Sequence, residues 1–259
     1  MLACAAGAPY SHPANGWPPS LPSGSFVELG AFDGVINSNT FMLERCYAWT
    51  GLLIEASPSN YQKLITSSNR TASMVHSAIC AAPGGVLVVS ADGRQMGGEV
   101  ELIPNQTMRR YGQKLNLASS VVTVPCAPLS RLMHRAGLRD GADFLSLDVE
   151  GAEVKVLQTI DPALFKVVLV ETNVGSGGVL SDAENAKNAH VHQLLTRASL
   201  VRVRRLGNLV NHAYVRRDVL ERCSHAVNRT CSDIQHTYQL PLMDCKRHHN
   251  FQDEYVSRG

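Results

Sequence analysis

Two glycines and a nearby acid follow an apolar run near the start of the chain, in a pattern that could bind a ligand. The stretch FVELGAFDG, Phe26 to Gly34, places Glu28 near the end of the run and Gly30 and Gly34 just beyond it. Glycine lets the backbone approach a ligand that a Cβ would keep away. Ligands of open α/β sheets bind at the carboxyl ends of the strands. The stretch predicts either an ordinary strand-to-helix turn or a binding loop.

A second acid, Glu55, ends the next apolar run, GLLIEA. A carboxylate at this place can accept both hydroxyls of a ribose, although a solvated strand-end acid is the simpler interpretation of Glu55 alone. The glycine spacing is G-x-x-x-G rather than the G-x-G-x-x-G of dinucleotide-binding folds, which disfavours a pyrophosphate cradle and an NAD-dependent oxidoreductase. Together the two features indicate an adenosine-type ligand without a diphosphate, and S-adenosylmethionine fits that description.

Four further acids cluster after two later apolar runs. Asp148 ends the run FLSLDV, Glu150 and Glu153 follow within one turn, and Glu171 ends the run VVLVET. One of them could act as a general base for a hydroxyl if neighbouring negative charge raises its pKa. Two or three could instead hold Mg²⁺, an alternative that is not favoured. Glu150 and Glu153 could also simply favour a helix N-terminus. We expect Asp148, Glu171 and Glu153 to be the catalytic candidates and predict no metal site.

The elements that must position these residues alternate between strands and helices. Apolar runs such as FLSLDV and VVLVET are typical of strands buried on both faces, and amphipathic stretches such as SPSNYQKLITSS, with Pro58 in the first turn, predict helices between them. The run ASMVHSAI predicts a third strand. LVRVRRL and NLVNHAYVRR, separated by Gly207-Asn208, predict a terminal antiparallel hairpin. The fold class is therefore α/β, a mostly parallel sheet with helices on both faces.

Composition divides the chain into three regions. Residues 1–24 hold five prolines and show no periodicity, which predicts a disordered or loosely packed leader. Residues 25–217 form the main domain, in which the glycine-rich segment 83–125 reads as an inserted hairpin region. Residues 218–259 read as a polar tail that contains cysteine and histidine.

Charge and cysteine content limit the partners and the compartment. The chain has 259 residues and a net charge of +2, which gives no reason to expect nucleic acid. No apolar run approaches the ~18 residues that a membrane span needs. The seven cysteines form no C-x-x-C pair, and three N-x-T sequons occur at Asn69, Asn105 and Asn228. The compartment remains open between cytoplasmic and secretory-lumenal.

Several stretches in order resemble the FkbM-type methyltransferases. They are FVELGAFDG, GLLIEASPSNYQKL, VHSAIC, VPCAPLSRLM, DFLSLDVEGAEVKVLQTID and VVLVET, which together cover roughly residues 26–173. The set is specific, although no single stretch is. The resemblance implies a Rossmann-like class I methyltransferase that depends on S-adenosylmethionine and usually acts on oxygen. It implies a small-molecule or sugar acceptor.

The resemblance also implies roles for individual residues. The methionine and ribose side of the cofactor would lie against Glu28, Gly30, Asp33 and Gly34, although Asp33 could instead cap the following helix. Glu55 would hold the ribose hydroxyls. The adenine would lie beside Ala56, Ser77 and Ala78, and Asp148 would face the place where methyl donor and acceptor meet. A methyltransferase fold used as a non-catalytic binding or trafficking module is the alternative function.

Overall fold

The computed structural model describes residues 23–89, 98–102, 121–172, 180–203 and 211–227. Ten strands lie in this part of the chain: β1 Ser25–Leu29, β2 Thr50–Glu55, β3 Ser73–His76, β4 Ala78–Ile79, β5 Gly84–Val89, β6 Val121–Ala127, β7 Ala142–Leu147, β8 Phe165–Glu171, β9 Leu200–Arg202 and β10 Asn211–Arg216. The α-helices are α1 Phe41–Tyr47, α2 Pro58–Ser67, α3 Leu129–Arg135, α4 Glu153–Leu157, α5 Asp182–Arg197 and α6 Arg217–Val227, and Pro162–Leu164 forms a 3₁₀ turn.

Seven strands form the main sheet, in the order β3-β2-β1-β7-β8-β10-β9. The first five are parallel, whereas β10 is antiparallel to both β8 and β9. The predicted fold class and the terminal antiparallel hairpin are therefore confirmed. The strand order reverses between β1 and β7, and a ligand crevice opens at such a switch point, beyond the carboxyl ends of the strands.

The predicted third strand is wrong as a single element. The chain leaves the main sheet after His76, and Ser77 still donates its N–H to the carbonyl of Glu55 at 3.1 Å. Ala78 then pairs with Cys126 in a second sheet of order β4-β6-β5. A disulfide between Cys80 and Cys126 also joins β4 to β6. This small sheet stands beside the carboxyl end of β2.

The apolar runs of the central strands bury both faces of the main sheet. Leu145 and Val168 are fully buried on one face, where α3 and α5 pack. Phe26, Leu53 and Val215 are fully buried on the other. This two-sided burial explains why the strands carry little polar alternation.

The structure differs from the expected polar tail in its first ten residues. Residues 218–227 belong to α6, and Val219 is completely buried against the core that contains Phe26 and Val215. Leu220 packs against the same core, so this part of the predicted tail belongs to the folded domain. Residues 228–259, nearly all of the predicted leader, and the Gly207-Asn208 turn lie outside the described residues. Within the described part, no helix is long and apolar enough to cross a membrane.

Candidate active site

A cleft of about 670 Å³, including its open mouth, lies at the carboxyl ends of β1, β2 and β7 and beside β4. Seven of the residues singled out from the sequence line it: Gly30, Glu55, Ala56, Ser77, Ala78, Asp148 and Glu150. The cleft occupies the switch point that the strand order defines.

Gly30, which follows β1, lies at the floor of the cleft and contacts the backbone at the ends of β2 and β7. Its φ of +76° is a left-handed conformation, and a Cβ built on it would lie 1.8 Å from the carbonyl oxygen of Asp148. Its N–H donates to the carbonyl of Ile54 at 3.1 Å. Only glycine fits here, because any side chain would collide with backbone that cannot move away.

Glu28 points away from the cleft, although it precedes Gly30 by two residues. Its carboxylate accepts hydrogen bonds from the hydroxyls of Ser38 at 2.7 Å and Thr40 at 2.5 Å, and from the N–H of Asn39 at 2.8 Å. Burial raises the pKa of Glu28, and the Arg70 guanidinium, 4.0 Å away, opposes that shift. Glu28 therefore fixes the loop between β1 and α1 through these hydrogen bonds.

Gly34 and Asp33 also stabilise that loop and are not part of the cleft wall. Gly34 has a φ of +78°, and a Cβ there would meet Leu64 of α2 at 2.5 Å. The Asp33 carboxylate accepts the N–H groups of Val35 at 2.9 Å and Ile36 at 2.8 Å. Neither residue is among those that line the cleft. Asp33 does not cap the following helix, the alternative raised from the sequence, because that helix begins at Phe41 with Thr40 as its N-cap; Asp33 stabilises the turn at Val35 and Ile36 instead.

Glu55 turns into the cleft and is held there by backbone. Its two carboxylate oxygens accept the N–H of Phe32 at 2.8 Å and of Ser57 at 2.7 Å. Burial raises the pKa of Glu55 to about 7, against the opposing effect of these hydrogen bonds. Each oxygen keeps further lone-pair capacity, so the side chain can still accept hydroxyl groups from a ligand.

Asp148, which lines the cleft, forms a hydrogen-bonded carboxyl pair with Glu171, which lies behind it and is not a lining residue. Burial, followed by the contact with Glu171, raises the pKa of Asp148 well above its ordinary value. Burial also raises the pKa of Glu171, whose Oε2 is buried without a hydrogen-bond partner in the described part of the chain. Two adjacent carboxyls in a largely buried site cannot both ionise easily, so the pair favours holding one proton.

Glu150 joins the pair to form a group of three acids. One carboxylate oxygen from each of Asp148, Glu150 and Glu171 lies within 4.8 Å of the others, close enough to share a metal ion. Burial, and then the charge of Asp148, raises the pKa of Glu150 to about 7. Glu150 itself has a left-handed backbone, with a φ of +52°. The group can therefore exchange protons near neutrality or bind a cation.

Glu153 lies near these acids, but its carboxylate already has partners within the protein. It is completely buried, its Oε1 accepts the N–H of Gly151 at 3.0 Å, and its Oε2 pairs with Lys187 at 2.7 Å. It does not line the cleft. An acid paired in this way stabilises the start of α4 and its contact with α5.

The sequence analysis missed Glu99 as a lining residue. Glu99 is buried and forms an ion pair with Lys155 of α4 at 2.5 Å, which holds segment 98–102 against the cleft. The segment lies within the inserted region, where no periodic pattern marks a site residue. The contact joins positions 56 residues apart, so no local sequence signal could have found it.

Comparison with known proteins gives two findings. The sequence matches the Methyltransferase FkbM domain family over residues 28–199. A crystal structure of a methyltransferase FkbM from Methylobacillus flagellatus KT is similar to this chain with a TM-score of 0.42 and 13% identity, over 74% of this chain and 43% of that one. The chain thus spans less than half the length of that structure. No curated protein matches the sequence significantly.

Proposed function

The chain belongs to the FkbM methyltransferase family, and on that premise we propose that it transfers the methyl group of S-adenosylmethionine to a hydroxyl of a small molecule or sugar. The observation that carries the proposal is the cleft at the switch point, with Gly30 at its floor and Glu55 on its wall. Nucleic acid is not expected as a partner, since the net charge is only +2.

The residues of the cleft fit the proposed cofactor. Gly30 lets the backbone of the first loop pack directly against Asp148 at the floor of the cleft, and the buried Glu55 carboxylate offers paired acceptors for two ribose hydroxyls. Ala56 and Ala78 present small apolar surface where a flat adenine would lie, and the Ser77 hydroxyl, which donates to the carbonyl of Ala78 at 2.7 Å, can only accept from a ligand. Glu28, Asp33 and Gly34 support this cleft indirectly, because they fix the loop that carries Phe32.

Methyl transfer from a sulfonium is an in-line displacement, in which the leaving group is already activated. The main task of the protein is therefore to hold the acceptor oxygen close to the methyl carbon and aligned with it. A hydroxyl acceptor must also lose its proton. We assign that step to the Asp148–Glu171 pair, because burial and the mutual contact raise the pKa values of both acids and so make them stronger bases than ordinary carboxylates.

We do not assign this step to Glu153, because its carboxylate is already bound by Lys187 and by the N–H of Gly151. Glu150 takes its place as the third acid near the acceptor. We keep Mg²⁺ as a less favoured alternative: the three acids could orient acceptor oxygens through a cation as well as by accepting a proton.

Calorimetric titration with S-adenosylmethionine tests the cofactor assignment. S-adenosylhomocysteine is the second ligand and NAD⁺ the control, and each titration is run with Mg²⁺ and with EDTA. We expect micromolar binding of the first two ligands, with no binding of NAD⁺. Binding of neither adenosyl ligand would support the alternative of a non-catalytic binding module. A dependence on Mg²⁺ would favour the cation role of the three acids.

Two variants locate the binding. Glu55→Gln removes a charged acceptor from the cleft and should weaken both adenosyl ligands. Asp33→Asn changes a carboxylate that lies in the same loop system but outside the cleft, and it should leave affinity within about twofold of the unchanged protein. Equal effects of the two changes would contradict the assignment of Glu55 to the ribose.

A further inference from the structure

Asn69 presents a free carboxamide on the surface of the domain. It lies in the turn between α2 and β3, is exposed, and has a left-handed backbone with a φ of +51°. Arg45 donates to its backbone carbonyl at 3.4 Å, and no described residue bonds to its side chain. Asn69, Arg70 and Thr71 form an N-x-T sequon. The acceptor atom that N-glycosylation requires is thus accessible.

The position of Asn69 is compatible with a bulky substituent. Helix α2 starts beside the cleft, where Asn60 is one of the lining residues, and ends at Ser67. At about 1.5 Å per residue its ten residues separate the two ends by roughly 15 Å. The turn that holds Asn69 is therefore at the end of the sheet opposite the cleft, and a glycan there would leave the cleft mouth open.

The disulfide bonds are an independent observation, and they indicate an oxidising compartment. Cys80 and Cys126 are bonded to each other and are both buried, and Cys46 is disulfide-bonded as well. Structural disulfides persist in oxidising compartments and are rare where thiols are kept reduced. In eukaryotic cells, the oxidising compartment of the secretory route is also the one in which sequons are modified.

We propose that the chain matures in an oxidising secretory compartment and that Asn69 carries an N-linked glycan there. The carboxamide nitrogen of Asn69 forms a bond to the anomeric carbon of a lipid-diphosphate-activated oligosaccharide. The bond from that carbon to the diphosphate oxygen breaks, the lipid diphosphate leaves, and the carboxamide gives up one proton. Thr71 donates its hydroxyl to Glu44 in the folded domain at 3.0 Å, so transfer precedes closure of this turn. The proposal does not depend on the methyltransferase chemistry.

Mass spectrometry of the full chain isolated from the cells that make it tests the proposal. The peptide that contains Asn69 is analysed before and after treatment with peptide-N-glycosidase in ¹⁸O-water, which converts a glycosylated Asn to labelled Asp. We expect the label at Asn69 in protein whose Cys80 and Cys126 are linked. An unlabelled and unmodified Asn69, or reduced thiols at positions 80 and 126, would overturn the proposal.

Three variants expressed in the same cells separate a glycan from an unrelated mass change. Thr71→Ser keeps the sequon and should keep the glycan. Thr71→Ala destroys the sequon without touching Asn69 and should lose it. Asn69→Asp removes the acceptor while keeping a residue that tolerates a left-handed backbone, so loss of one glycan mass in this variant does not require misfolding. A glycan that survives in Thr71→Ala would contradict the assignment.

Discussion

The side chain of Asp148, at the end of β7, shares a hydrogen bond with that of Glu171, at the end of the neighbouring strand β8. The carboxyl ends of adjacent parallel strands lie at the same edge of a sheet. Two acids that are distant in sequence, one at the end of each strand, therefore meet there. Both are largely buried, and the pair favours the protonated form more than either acid would alone. This contact converts two ordinary acids into a group that holds a proton more tightly than either acid would alone.

Glu171→Gln should lower the rate of methyl transfer with little change in the affinity for S-adenosylmethionine. Glutamine keeps the shape of the side chain and a hydrogen bond to Asp148 but cannot share a proton with it. Loss of a general base costs about 10²- to 10⁴-fold in kcat. The measurement is kcat with an acceptor found by screening, together with calorimetric affinity for the cofactor.

Glu153→Gln is the matched control for this change. It also replaces a buried glutamate near the cleft, but one whose carboxylate pairs with Lys187 at 2.7 Å. Its effect should fall on stability, because it leaves the partly buried Lys187 without its charged partner, and the pH profile of the rate should keep its shape. A Glu171→Gln enzyme with unchanged kcat would remove the base role from this pair.

Gly30→Ala and Gly34→Ala should separate binding from stability. Both glycines have a left-handed φ, near +76° and +78°, so alanine strains either position by roughly 1–3 kcal/mol. The added Cβ at Gly30 collides with the backbone of Asp148 at the cleft floor, whereas at Gly34 it collides with Leu64 of α2. We expect both changes to lower Tm and only Gly30→Ala to weaken S-adenosylmethionine more than the strain alone explains. Equal affinities in the two folded variants would contradict this distinction.

The sequence predicted the sheet and the meeting of Asp148 with Glu171 because both follow from strand order. Continuous apolar runs mark buried parallel strands, and acids that end such strands must gather at one edge. The same reasoning could not tell Glu28 from Glu55. Both are acids at the ends of neighbouring strands, but Ser38 and Thr40 hold Glu28 beneath the loop, while the N–H groups of Phe32 and Ser57 aim Glu55 into the cleft.

Contacts between distant segments set the other limit on prediction. Lys187 forms an ion pair with Glu153, which is 34 positions away in the sequence. Lys155 forms an ion pair with Glu99, which is 56 positions away, and holds it at the cleft. Neither partner shows a local pattern that would reveal the pairing. The third strand was predicted as continuous because its β-rich composition does not change at Ser77, although the chain changes sheets there.

The affinity for S-adenosylmethionine should rise as the pH increases from 6 to 8. Burial raises the pKa of Glu55 to about 7, and the ionised form is the better acceptor for ribose hydroxyls. A ligand that bonds to the ionised form therefore binds more weakly once the carboxyl is protonated. Calorimetric Kd values across this range test the prediction.

Glu55→Gln is the control for that pH series. The variant should bind about 10- to 100-fold more weakly at pH 8, which corresponds to the roughly 1.5–3 kcal/mol of a hydrogen bond to a charged group. Its affinity should also lose the rise attributed to Glu55. A pH dependence that persists unchanged in Glu55→Gln would assign the titration to another group.

The disulfide between Cys80 and Cys126 should stabilise the domain substantially. It closes a loop across a sequence separation of 46, for which the loss of chain entropy in the unfolded state amounts to about 4 kcal/mol. The double change Cys80→Ala with Cys126→Ala should lower the free energy of unfolding toward that extent. Urea unfolding of both proteins without reductant measures it. With dithiothreitol present, the unchanged protein should lose most of its advantage, and an unaltered midpoint would show that the bond contributes little.

Glu150→Gln should stabilise the protein at pH 8 and hardly at all at pH 4.5. Burial and the charge of Asp148 raise the pKa of Glu150 from 4.5 to about 7 in the folded state, so folding favours its protonated form. The stability that this group contributes is fully present below pH 4.5 and is lost as the pH rises through about 7. Glutamine stays neutral throughout, and its advantage at pH 8 can reach roughly 3 kcal/mol at 1.36 kcal/mol per unit of pKa. Urea unfolding at the two pH values measures the difference, with the exposed Glu101→Gln as control. A Glu150→Gln protein that gains the same stability at both pH values would show that the charge of Glu150 costs the folded domain nothing.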